Sequence, residues 1–348
     1  MAKMILPLVW AVCAIAGYLY SRLQGIPIEI TLAVLPAFLL EATFFTVLAM
    51  ENWRARLEKL PPTALAIGLT LAAIAPYSLS SWALGRFEWL AVLAIGSLAA
   101  AASFWYVVLP PERKGCDAPL HSMQGSDRAA LRFARVNGNP ASDLLFLLFM
   151  AVVWLARFFH ELYLNPHPRV PLEALGQLMW FRTGLFAMVS IRRIKGVGFG
   201  FWPKRSEWKI GAWHYLSFLP VAVAMAWAVG FAKPRVPSAG WEKTSFLVVA
   251  TFFGVLWVLA LGEEFFFRGL LQQWMTAWFH SEWAGLVLAS VVFGSAHLWY
   301  HAFPNWRFAV MAATAGIFYG LAFRQARSIR ASMVTHALVV TSWRIFFS

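Results

Sequence analysis

The chain has 348 residues, 60% of them hydrophobic and only 13% charged, with 19 Trp and 30 Phe and a formal net charge of +13. A soluble domain is about 45–50% apolar, so this composition excludes a soluble globular protein and predicts an all-α, polytopic transmembrane helical bundle. The positive charge does not point to nucleic acid, because the basic residues are scattered over short segments with no aromatic-interleaved groove and no nucleic-acid-binding motif.

Apolar runs of the length that crosses a bilayer predict about eleven spans, with ten or twelve also compatible: 4–20, 28–50, 62–84, 89–110, 142–164, 174–191, 211–232, 245–266, 283–300, 307–323 and 331–347. The first lacks a small-residue cleavage site and reads as a retained helix, not a signal peptide. Basic residues concentrate on alternate connections: Arg54, Arg56 and Lys59; Arg113, Lys114, Arg128, Arg132 and Arg135; Arg192, Arg193, Lys195, Lys204, Arg205 and Lys209; and Arg324, Arg327 and Arg330. The other connections hold mainly Arg22, Arg86, Arg169, Lys233, Arg235, Lys243 and Arg307. The positive-inside bias then predicts a cytoplasmic N-terminus, in what is expected to be a bacterial cytoplasmic (inner) membrane.

Cys13 and Cys116 make neither a metal cluster nor a disulfide framework. Within the first spans, Glu41 has no partner on its own helix, and Arg182 is a second intramembrane charge. Arg157 and Glu161, beside His160, are four apart on an apolar run and read as a structural pair. A polar stretch over 111–141, with turn formers at both ends, predicts three parts: an N-terminal transmembrane unit over 1–110 with no assigned role, the polar loop itself, and a C-terminal unit over 142–348.

The chemistry concentrates in that last unit. Gly262-Glu263-Glu264-Phe265-Phe266-Phe267-Arg268-Gly269 places two carboxylates and a guanidinium in a run otherwise apolar from Phe246 to Leu271. At bilayer depth each charge costs at least roughly 2.5–3.5 kcal/mol, so such residues mark function or a buried charge network. Glu264 and Arg268 are four apart and meet on one helical face, whereas Glu263 points about 100° away. Arg268 is thus expected to neutralise and fix Glu264, leaving Glu263 as the free carboxylate. Two later spans add Phe293-Gly294-Ser295-Ala296-His297 and Thr335-His336-Ala337-Leu338-Val339-Val340. A carboxylate and two imidazoles converging in a low-dielectric bundle can activate a water, orient it, and stabilise the oxyanion formed at an amide carbonyl.

Glu263-Glu264-xxx-Arg268, Phe293-xxx-His297 and His336-xxx-Val340, in that order on successive spans, resemble the motif set of the CAAX protease and bacteriocin-processing (CPBP, or ABI) family of intramembrane endopeptidases. The resemblance covers 142–348 and implies hydrolysis of a peptide bond in a membrane protein or peptide, at the lipid bilayer and without nucleic acid. It implies Glu263 as general base, Glu264 and Arg268 as its support, His297 positioning the water, and His336 stabilising the oxyanion. The resemblance requires no cofactor in its metal-free form. A divalent metal such as zinc would instead take Glu263, His297 and His336 as ligands, but it would then need a separate base, and Glu264 would have to leave Arg268. The chain departs from the family at Val340, where the pattern has an asparagine or aspartate that helps hold the oxyanion. Thr341 and Ser342 follow, but lie off the His336 face by one and two steps of about 100°.

Other chemistries fit less well. Gly294-Ser295-Ala296 lacks the second glycine of a rhomboid-type serine turn, the aspartates (Asp117, Asp127, Asp143) lie in or beside the polar loop, and Cys13 is remote in sequence from the histidines. His297 and His301 have metal-ligand spacing, but without the intervening glutamate of the zinc-protease helix, and His301 reads as an interfacial residue. Two rival readings stand: a transporter using the Glu/His cluster as an ion relay, and a catalytically inactive scaffold or immunity protein retaining the fold.

Overall fold

A computed structural model describes residues 2–110, 140–230, 235, 237, 240–300 and 303–347. Every regular element among them is a helix: α1 (Ala2–Gln24), α2 (Ile28–Ala49), α3 (Glu51–Leu57), α4 (Pro62–Ala83), α5 (Trp89–Val108), α6 (Pro140–Leu155), α7 (Phe158–Leu162), α8 (Glu173–Ile191), α9 (Arg205–Ala228), α10 (Trp241–Phe279), α11 (Glu282–Ser295), α12 (Trp306–Ala326) and α13 (Ile329–Phe346). The chain is an integral membrane protein, and large apolar side chains, among them Leu93, Trp227, Phe246 and Val291, are exposed as a lipid solvent allows.

Each expected span falls on a helix, but eight are long and apolar enough to cross a membrane: α1, α2, α4, α5, α8, α9, α10 and α12. The other three fall short for separate reasons. The run over 142–164 breaks where Arg157 adopts left-handed backbone, φ 55°, splitting it into α6 and α7. The expected helical pairing of Arg157 with Glu161 is therefore absent; both side chains are exposed. α11 has 14 residues, about 21 Å of rise against the roughly 30 Å of a hydrocarbon core. α13 carries Arg330, Ser332, Thr335, His336 and Thr341, all buried, which dilutes its apolarity. α10 runs to 39 residues, well past the end expected near 266. It contains π-helical turns at Val255–Leu259 and Phe265–Leu271, on either side of the two glutamates. Side-chain N-caps begin the helices that follow: Ser281, Asn305 and Ser328 each accept a backbone N–H at 3.2–3.3 Å.

Contacts divide the chain into two units, one of Met1–Lys114 with Gly138–Ile194, the other containing Lys195–Ser348. The break thus follows α8, later than the polar loop at which the sequence places it. Two buried ion pairs explain this. Glu41 of α2 is held by Arg182 of α8, which also lies 4.1 Å from the Phe45 ring centroid. Asp143 of α6 accepts from both Nε and Nη2 of Arg192 at 2.5 and 2.6 Å. Each removes two charges from lipid together, since breaking a buried pair strands the survivor. In the second unit, Glu207 of α9 accepts from Arg330 of α13 at 3.0 Å, and Glu282 of α11 accepts from Arg324 and Arg327 at 2.9 Å.

Candidate active site

α10 contributes Glu263, Glu264 and Arg268. Glu264 is wholly buried and serves as a junction: Oε1 accepts from Arg268 Nη1 at 3.2 Å and from His336 Nδ1 at 2.7 Å, and Oε2 accepts from the Ser332 hydroxyl. Ser332 and His336 are one turn apart on α13, so one face of that helix grips one carboxylate. Arg268 continues the network to α12, donating Nη2 to Gly316 O at 3.1 Å. Its guanidinium lies 4.7 and 5.2 Å from the ring centroids of Phe293 and Tyr319, within cation–π range.

Glu263 is differently placed. Its side chain is 30% exposed against 0% for Glu264, so only Glu263 can meet a reactant. Its Oε2 lies 3.8 Å from His336 Nε2 and, among the described residues, has no hydrogen-bond partner. That separation is too long for a hydrogen bond, so the two side chains are not bonded to each other.

Glu263, His297 and His336 line a single cavity of about 330 Å³ within the second unit. Its walls are mainly apolar, including Phe218, Val223, Phe308, Met311 and Trp343. The Nδ1 of His297 bonds to Phe293 O at 2.8 Å. A carbonyl can only accept, so Nδ1 carries the proton and Nε2 is the nitrogen left for a ligand. The Phe293 ring touches both imidazoles, its centroid 4.8 Å from that of His297 and 5.9 Å from that of His336.

Residues 241–342 match the family model for the type II CAAX prenyl endopeptidases, Rce1-like. The match covers the C-terminal part of the chain and agrees with the resemblance that the motif set carries. No curated protein and no solved structure matches the chain. The Rce1-like segment begins with the first residue of α10 and ends within α13, so it holds all five residues of the motif set, and it lies wholly within the second unit.

Two residues of the site escape the motif reading. Ser332 carries a local signal, a hydroxyl one turn before the motif histidine. Tyr319 carries none: its ring stacks on His336 from another helix, centroids 4.6 Å apart and planes 14° apart. Val340 does face the cavity, as does Ser342, whose hydroxyl pairs with that of Tyr215 at 2.6 Å. His301 lies outside the described residues. Among those described, no three His, Cys, Asp or Glu side chains are gathered closely enough to hold a metal ion.

Proposed function

We propose that the chain is an intramembrane endopeptidase in which Glu263 activates water against a peptide bond of a membrane-associated protein. The observation that carries this is the unequal pair of adjacent glutamates: one buried and saturated by three donors, the other open to a cavity that both motif histidines share. The Glu263 carboxylate accepts the proton of a cavity water as its oxygen bonds to the carbonyl carbon, and the carbonyl π pair moves onto oxygen. On collapse the C–N bond breaks and the proton held by Glu263 leaves with the amine. His297, with Nε2 unprotonated, accepts the water's other O–H and orients it.

His336 donates to the oxyanion from Nε2. In this reading it holds protons on both nitrogens, with the Glu264 carboxylate supporting the Nδ1 side much as an aspartate supports a catalytic histidine. Charge counting favours the arrangement: Glu263 and Glu264 balance Arg268 and protonated His336. Negative charge then passes from Glu263 to the carbonyl oxygen with the total unchanged, which matters where solvation is poor.

The apolar walls suit a substrate with an apolar segment, and the distribution of basic residues supports a bacterial cytoplasmic membrane with the N-terminus on its cytoplasmic side. The test is Glu263→Ala in the full chain, comparing protein termini in membranes with and without the protein. One polypeptide terminus should depend on the wild type and be lost in the variant, with protein level unchanged. Val340 in place of an amide favours the inactive scaffold as second reading, and termini identical in all strains with ion flux unchanged would support it. Loss of ion flux with no change in any terminus would favour transport.

A further inference from the structure

We propose that the Tyr319 hydroxyl is a catalytic hydrogen-bond donor of this site, supplying to the scissile carbonyl oxygen the contact that Val340 cannot make; the inference rests on the peptidase reading above. An oxyanion gains most from two fixed donors, and here position 340, although it faces the cavity, carries only an aliphatic side chain. His336 Nε2 alone would be left to the task.

Tyr319 has the required placement. It lines the cavity, and its ring is held parallel to the His336 imidazole, centroids 4.6 Å apart. Arg268 lies 5.2 Å from the ring centroid. Among the described residues that hydroxyl is engaged in no hydrogen bond, whereas Tyr215 of α9, which also lines the cavity, is bonded to Ser342.

The close approach of α12 makes this possible. Gly316 stands against Arg268 and Phe293, where a Cβ would come within 3.2 and 3.3 Å of their side chains. Tyr319 follows three residues later, on the side of α12 that meets the cluster. The phenol keeps its proton throughout: O–H donates more strongly as the carbonyl oxygen gains charge and releases when the C–N bond breaks.

The test uses the full chain in proteoliposomes, with the polypeptide whose terminus depends on Glu263 as substrate, and four proteins: wild type, Y319F, V340N and Y319F/V340N. Y319F keeps the ring and its stacking. Its kcat should fall by about 10²- to 10³-fold with KM little changed and thermal unfolding as in wild type. V340N, which places an amide on the cavity wall, should restore at least about tenfold of that loss, a rescue that a packing role would not produce. A Y319F protein with wild-type kcat overturns the donor role and leaves the Glu263 reading standing, and so does a slow Y319F protein that V340N cannot accelerate. If no polypeptide terminus depends on Glu263, the peptidase reading itself fails and the donor role falls with it, an outcome distinct from a wild-type kcat in Y319F.

Discussion

Two neighbouring glutamates of identical chemistry are separated in function by what surrounds them. Glu264 is enclosed by Arg268, His336 and Ser332, and removing one member strands the rest. Arg268→Met should therefore destabilise the protein by about 3–5 kcal/mol, the usual cost of breaking a buried pair, read as a lower unfolding temperature in detergent and reduced abundance in membranes. Glu263→Gln belongs to no such network and should unfold at the wild-type temperature while losing cleavage; equal destabilisation of the two variants would refute the division between brace and base. Helical spacing alone exposes the Glu264–Arg268 pair and the divergence of Glu263. It cannot show that Ser332 and His336 complete the brace, because those contacts span 68 and 72 residues of sequence.

At the scale of helices, small residues decide how closely the site's walls approach. A Cβ on Gly294 would fall 2.5 Å from Ala309 O and 2.9 Å from Ala313 N, backbone atoms of α12 that cannot yield. Gly294→Ala should thus force α11 from α12, lowering thermal stability and slowing cleavage, since Phe293 and His297 flank the substitution. Wild-type unfolding and kinetics in that variant would show that the helices relax more freely than this packing implies. Gly211 plays the same part between α9 and α13, where a Cβ would meet Ala331 O at 2.7 Å and Gly211 O accepts from Thr335 at 3.0 Å. The starts of α11, α12 and α13 follow from their polar caps and are readable from sequence. The length of α10 and its π-helical turns are not, because an uninterrupted apolar run carries no mark of where lipid ends or where an extra residue enters a turn. Nor does hydropathy find α13 as a span by itself: its polar residues are tolerable only because other helices cover them.

Across the whole molecule, the two units divide their charges differently. In the first, Glu41 is paired with Arg182 through one carboxylate oxygen and Asp143 with Arg192 through both, and Glu41→Gln should lower protein abundance while leaving cleavage per folded molecule near the wild-type value, measured as initial rate normalised to folded protein. A loss of specific rate as large as that of Glu263→Gln would instead give the first unit a part in the chemistry. In the second unit the charges leave one carboxylate and two imidazole nitrogens open to a cavity. Composition and local spacing determined by themselves that the chain is a helical membrane protein, where its helices fall, and which five residues form the motif set, because hydrophobicity and helical period act over neighbouring residues. Only the tertiary structure decided that α6 and α8 join the N-terminal helices, that Glu41 has Arg182, that His297 and His336 reach one cavity despite their different positions along their helices, and that Tyr319 stacks beside Val340's wall. These rest on contacts between distant segments, whose energies come from burying charge and closing space, and no local pattern encodes them.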